Sequence, residues 1–142
     1  MLKGIDPVLG PDLIMTLRAM GHGDEIAVVD GNYPAVAHAR RLVRMDGHDA
    51  TRVVDAILSV MPLDDDQDAA FRPGIRGDEA AVEPIMADFE AIVRRHEPAK
   101  AVTPLMGQAF YDRVRAAYAV VATGERRLYG NLVLRKGVVR PD

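Results

Sequence analysis

The run Gly21-His22-Gly23-Asp24-Glu25 leads directly into four apolar residues, Ile26 to Val29, which end at Asp30. An imidazole titrates at about pH 6.5 when unperturbed, so His22 is a candidate acid or base at neutral pH. Its two glycine neighbours permit unusual backbone angles and the close approach of a ligand. Asp24 is placed two residues on, where a carboxylate can hold the ring in one tautomer and favour its charged form. Asp30, at the C-terminal end of the apolar run, can accept hydrogen bonds from ligand hydroxyls. A second cluster, Tyr129-Gly130-Asn131, opens the last apolar run, Leu132 to Leu134. Tyrosine offers a hydroxyl and a flat face, and asparagine both donates and accepts. Gly130 lets backbone come near a ligand. These groups stand where apolar strands meet Gly-rich turns, the places where open α/β folds hold small molecules. The chemistry they suit is proton transfer on a small, hydroxyl-rich ligand.

Each residue also fits a plainer arrangement. Gly21 can be a helix C-cap, with His22 a solvated turn residue behind it. Asp30 can cap the turn Asp30-Gly31-Asn32-Tyr33-Pro34, because Asp and Asn bond their own backbone. Tyr129 can be a surface residue of a β-turn. Glu125 reads as one half of a surface pair with Arg126 or Arg127, which stabilises little. His38, His48 and His96 lie among polar residues without metal-ligand spacing and read as solvated. Asp64, Asp65 and Asp66 lack the ligand alternation and closing Glu of a calcium loop. No metal is expected, because no second or third His follows Gly21-His22-Gly23-Asp24 at a useful distance. The sequence holds no Gly-x-Ser-x-Gly elbow, no P-loop and no Gly-x-Gly-x-x-Gly.

The elements that must carry these residues are legible from periodicity. Leu13, Ile14, Leu17 and Met20 share one face of a helix with Pro11 at its first position and Gly21 after its end. Val53, Val54, Ile57, Leu58 and Met61 mark a second helix, stopped near Pro62. Val82, Ile85, Met86, Phe89, Ile92 and Val93 mark a third, ending before Pro98. Phe110, Val114 and Ala117 mark a fourth. Short apolar runs predict buried strands at Ile26–Val29, Tyr118–Ala122 and Asn131–Leu134, with others at Lys100–Thr103 and Arg41–Met45. Ala69–Arg72 is a candidate short edge strand in an otherwise acidic, Gly- and Pro-containing stretch. The alternation predicts an α/β layered domain with a largely parallel sheet. Thr123–Gly130 is too short for a helical crossover, so the last strand should run antiparallel to the rest.

Composition sets the outer bounds. A chain of 142 residues can bury a substantial core as one domain, residues 1–142. Hydrophobic residues at 49% and charged residues at 27% are ordinary for a soluble globular protein. A net charge of −3 offers no electrostatic reason to bind nucleic acid or an anionic membrane. The absence of cysteine excludes disulfides, thiolate metal sites and a Cys nucleophile, which fits a cytoplasmic protein. Neither a signal peptide nor a bilayer-spanning run is present in the sequence.

Four blocks in order resemble the fucose mutarotase and ribose pyranase family. They are the opening M-L-K-G-I-D-P-x-L, the block G-H-G-D-E-I with Asp30 and Pro34, the run F-Y-x-x-V from Phe110, and the closing T-G-E-R-R-L-Y-G-N-L-V-L-R-K-G-V. The resemblance implies a three-layer α/β/α sandwich that assembles into a ring-shaped homo-oligomer, a pentamer or decamer. It implies interconversion of the α and β anomers of a free monosaccharide without metal or organic cofactor, with the closing block favouring the L-fucose branch. On that resemblance His22 matches the proton donor, and Asp30, Tyr129, Gly130 and Asn131 match substrate-binding positions. Asp24 is expected to orient His22. One departure stands out: family members usually carry a basic or imidazole side chain where this chain has Gly107. A non-catalytic sugar-binding or transport-accessory role is the alternative that this departure leaves open.

Overall fold

The computed structural model describes residues 1–142. Its chain order is α1 (Pro11–Ala19), β1 (Glu25–Val29), α2 (Ala35–His38), β2 (Leu42–Met45), α3 (Ala50–Leu58), β3 (Ala70–Pro73), α4 (Pro84–His96), β4 (Thr103–Leu105), α5 (Gln108–Ala116), β5 (Ala119–Thr123) and β6 (Leu132–Arg135). The six strands form one sheet in the order β2-β5-β1-β6-β3-β4. β1 pairs parallel with β5, β2 parallel with β5, and β3 parallel with β4. Only β6 is reversed, pairing antiparallel with both β1 and β3. The largely parallel sheet and the antiparallel last strand are therefore as the sequence predicts.

Alternation along each strand divides the core in two. Ile26, Val28, Val121, Leu132 and Leu134 face α1, α3 and α4, packing with Leu13, Leu17, Val53, Ile57, Met86 and Phe89. Ala27, Val29, Val120 and Val133 face the other way, against Phe110 and Val114 of α5 and Ala35 of α2. Helices cover both faces, which is why β1 and β5 are apolar at nearly every position. Proline opens both α1 and α4, where its missing N–H costs nothing. No helix is long and apolar enough to cross a membrane.

Four elements differ from the sequence expectation. Ala70–Pro73 is not an edge strand but lies inside the sheet between β6 and β4. The edge is taken by β4, which begins at Thr103 rather than spanning Lys100–Thr103. α2 carries too few apolar positions to register as a period and was not expected. Val82, assigned to the stripe of α4, precedes that helix and is exposed.

Candidate active site

At the C-terminal end of β1 the sheet opens into a cleft of about 320 Å³. Asp30, the first residue past β1, lies beside Asn131, the residue before the antiparallel β6. The two lock reciprocally: Asp30 N–H donates to Asn131 Oδ1 at 2.9 Å, and Asn131 Nδ2 donates to Asp30 Oδ2 at 3.0 Å. Asp30 Oδ1 also accepts from the Asn32 N–H at 2.9 Å, so the turn after β1 is an Asx turn. Both oxygens keep lone pairs for a further donor. The neighbouring Thr123-Gly124-Glu125 segment braces this turn, with Gly31 N–H bonding Glu125 O at 2.9 Å and Thr123 Oγ1 bonding Val29 O at 2.8 Å.

Aromatic rings wall the cleft. Tyr33, Phe110, Tyr111 and Tyr129 line it, with Tyr33 and Tyr111 stacked at a centroid distance of 5.9 Å. Tyr129 is held at φ 61°, a left-handed conformation that an L-residue adopts only under constraint. Behind it Gly130 is buried and does not line the cleft; an added Cβ there would stand 2.8 Å from Glu125 Cγ and 2.9 Å from Ile85 Cδ1. The glycine therefore lets the turn close over Glu125 and Ile85, a packing role that the sequence assigned to ligand approach. Glu125 itself is 3% exposed rather than a surface partner. Burial opposes its charge, but two bonds from the Arg127 guanidinium at 3.0 and 3.1 Å keep its carboxyl below the usual range.

His38, expected to be solvated, is half-buried between Arg115 and Tyr33. Arg115 can only donate, so the His38 Nε2 at 2.8 Å from it is an acceptor and Nδ1 carries the hydrogen toward Tyr33 Oη at 2.9 Å. Burial and then the Arg115 charge push the His38 imidazole below its ordinary range. Burial also pushes the Tyr33 phenol up to about 12, so it stays neutral beside Asp30. His96 likewise is not solvated and bonds Asp55 at 2.7 Å, whereas His48 is exposed.

His22 lies at the other end of β1. Its side chain is 49% exposed, and Nε2 stands 3.4 Å from Oδ2 of the fully buried Asp64. Asp24 does not face the ring: its Oδ2 accepts from the Gly21 N–H at 2.8 Å and closes the turn. The carboxylate beside His22 thus comes from the segment after Leu63, a long-range partner that local spacing gives no hint of. Asp64 Oδ2 also accepts from Arg135 Nε at 2.8 Å, which holds that carboxyl down at about 2. Ligand-type atoms of His22, Asp64 and Asp66 lie within 4.8 Å of one another. The Asp64 charge, however, is already met by a guanidinium, so the cluster reads as an ion-pair network.

The register fixes the separation of the two groups. Glu25 pairs with Arg135 and Val28 with Leu132, so His22 and the Asp30–Asn131 lock flank opposite ends of β1, ~17 Å of extended chain apart. One copy of the chain therefore brings Asp30, Tyr129 and Asn131 together but not His22. Gly107 lines the cleft with open space where its side chain would be, at φ 53° and ψ −130°. Sequence reading missed Tyr33 and Tyr111; the nearest signals were the Asp30–Pro34 turn and the Phe110-Tyr111 pair.

Comparison with known proteins agrees with this fold. The family model described as the RbsD / FucU transport protein family matches residues 3–139. The human fucose mutarotase is 39% identical over 145 residues, covering 97% of this chain and 94% of that protein. The L-fucose mutarotase of Glaesserella parasuis serovar 5 is 38% identical over 140 residues, covering 97% and 96%. The crystal structure of the fucose mutarotase from Streptococcus pneumoniae in complex with L-fucose superposes with a TM-score of 0.90 at 40% identity, covering 98% of this chain and all of that one. Matched across nearly its whole length in sequence and in fold, the chain belongs to the RbsD / FucU family.

Proposed function

We propose that this protein is a monosaccharide mutarotase that interconverts the α and β anomers of free L-fucose, using a site built from two copies of the chain. The observation that carries the reading is the Asp30–Asn131 lock under an aromatic wall, on a fold so close to that of an L-fucose-bound relative. Locked side chains present fixed acceptors and donors to sugar hydroxyls, and tyrosine faces suit the C–H surface of a pyranose. No metal or organic cofactor is needed for the chemistry.

Anomers exchange when the hemiacetal opens to the aldehyde, the C1–C2 bond rotates, and the ring closes on the other face. Opening needs a proton delivered to the ring oxygen while the anomeric hydroxyl loses one. An imidazolium can supply the first and solvent water can accept the second, and one well-placed acid or base contributes about 10²–10⁴-fold. His22 takes this role, with the Asp64 carboxylate 3.4 Å from its Nε2; Asp24 shapes the turn. The separation along β1 means that His22 must come from a neighbouring copy to meet Asp30, Tyr129 and Asn131 of this one. A head-to-tail contact that closes on itself forms a ring, the assembly expected of a pentamer or a decamer.

The test is saturation-transfer NMR between the anomeric signals of L-fucose, D-ribose and D-galactose, with the unaltered protein and with His22→Ala. Acceleration greatest for L-fucose and lost in His22→Ala supports the reading. Greatest acceleration of D-ribose would assign a pyranase of the ribose type instead. Binding without exchange would favour a sugar-binding, transport-accessory protein, an outcome that the separation of His22 from the cleft within one chain keeps specific.

A further inference from the structure

We propose that Arg135 is the positioning residue for His22: by competing for the carboxylate oxygen that faces the imidazole, it fixes where that oxygen lies and how much of its charge the imidazole feels. The assignment builds on His22 as the proton donor. Asp64 Oδ2 is shared, 2.8 Å from Arg135 Nε and 3.4 Å from His22 Nε2. A carboxylate that served His22 alone would lie closer to the ring and bind its proton harder. Arg135 draws that oxygen away and neutralises part of it.

The surrounding backbone is built to hold this guanidinium in place. Gly23, at φ 85°, passes so close that an added Cβ would stand 2.9 Å from Arg135 Nη2. Gly23 N–H bonds Lys136 O at 2.8 Å, seating the His22 turn on the end of β6. On the other side Gly137 lets the segment that carries Asp64 lie against the same strand end, since an added Cβ would meet Leu63 O at 2.3 Å. Asp64 N–H then bonds Arg135 O at 3.1 Å. Two glycines, one on each side of the β6 terminus, let both partners approach the one arginine.

The charged groups around the imidazole come from four elements. Asp64 and Asp66 arrive on the loop after Leu63, and Asp24 on the His22 turn itself, bonded to Gly21. Arg135 and Lys136 come from the end of β6; the Lys136 ammonium is turned away, onto the Leu17 and Met20 carbonyls at the end of α1. Glu25, opening β1, lies 3.6 Å from Arg135 and is claimed by Arg113 of α5 at 2.6 Å. Arg113 thus takes up Glu25 and leaves Arg135 free to serve Asp64.

The test compares Arg135→Met with Asp64→Asn by NMR titration of the His22 imidazole in the full-length protein without sugar, alongside the pH profile of L-fucose anomer exchange. Arg135→Met leaves Asp64 undivided and should move the His22 midpoint up by about one pH unit, whereas Asp64→Asn leaves Arg135 uncompensated and should move it down by a similar amount. The alkaline limb of the exchange profile, where the imidazolium donor loses its proton, should follow. Arg135→Lys, which keeps the charge but loses the fork, should fall between wild type and Arg135→Met, and carries the same expectation should Arg135→Met not fold. Midpoints that stay put, or that move in the same direction for both substitutions, would overturn the proposal, since mere loosening of the turn acts alike in both. Opposite displacements in a protein that does not accelerate anomer exchange would uphold Arg135 and sink the mutarotase reading instead.

Discussion

A site divided between copies can be rebuilt from two broken ones. His22→Ala removes the imidazole at one end of β1, and Asn131→Ala removes the lock on Asp30 at the other. Each variant alone should lose about 10²-fold or more of the exchange rate, the contribution of a placed acid or of its positioning partner. In a ring with head-to-tail contacts, every site takes its imidazole from one copy and its cleft from the next. An equal mixture of the two variants, co-expressed so that copies assort freely, then has an intact imidazole in half the positions and an intact cleft in half. About one quarter of the sites carry both, so the mixture should recover about one quarter of the wild-type rate. The number does not depend on ring size, because each site involves two copies only. Saturation transfer between the α and β signals of L-fucose reads the rate, and light scattering confirms the assembly. A mixed assembly no faster than the mean of its parents would refute the two-copy site, because ~17 Å of strand then has to be bridged within one chain.

Three further outcomes follow from the geometry. Gly130→Ala should lower stability by about 1–3 kcal/mol, seen as a drop of several degrees in Tm, because its Cβ would enter Glu125 Cγ at 2.8 Å and Ile85 Cδ1 at 2.9 Å. Gly107→Ala should cost about 1–3 kcal/mol for a different reason: nothing lies within 4 Å of its Cβ, but φ 53° with ψ −130° is a region that only glycine occupies freely; chemical denaturation showing no loss would contradict that backbone. For pH, the Asp64 carboxyl sits at about 2 in the folded chain against an ordinary 3.8. Below 3.8 the unfolded chain binds the proton first, so the Asp64 contribution is whole above about pH 4 and drains away as pH falls toward 2. Asp64→Asn should flatten urea-measured stability over that interval, and an unchanged slope would count against the pairing with Arg135.

What could be read from the sequence was whatever periodicity or local turn chemistry encodes. α1, α3, α4 and α5 follow from stripes such as Val53-Val54-Ile57-Leu58, and β1, β5 and β6 from unbroken apolar runs. The reversal of β6 follows from the short connection at Thr123–Gly130, which leaves no room for a crossover helix. β3 is legible as a short strand at Ala69–Arg72 but not as an interior one, because Arg72 and Pro73 break its apolar run, although Arg72 is buried and donates to the Pro73 and Glu79 carbonyls. Of the cleft, Asp30, Tyr129 and Asn131 were visible through their placement at strand ends. Their mutual bonds were not, since the two residues are 101 positions apart. Asp64 was missed for the same reason: the nearer Asp24 looked like the natural partner of His22, and only the third dimension brings residue 64 beneath the ring. Local spacing names the reacting types; it does not say which carboxylate meets which ring.

The state of the His22 turn argues against the plainer arrangement in which it is merely a solvated bend. A bend needs Gly21, Gly23 and the Asp24 cap, and these are present. It does not need a fully buried carboxylate beneath it, nor an arginine bonded to that carboxylate. Buried ionic groups are expensive to desolvate, and apolar residues of like volume commonly replace them without loss of stability. Here the fully buried Asp64 carboxylate stands against one half-exposed imidazole. Stability alone gives no reason for such an outlay at the ends of the central strands β1 and β6, whereas a proton donor presented to a neighbour requires it: the ring must face outward, yet keep one orientation and one carboxylate partner. The same logic applies at the opposite end of β1, where Tyr129 is kept in a strained backbone conformation beside a locked Asp30–Asn131 pair. Strain and buried charge thus sit at the two ends of a single strand, and in a closed head-to-tail ring those are the two ends that meet.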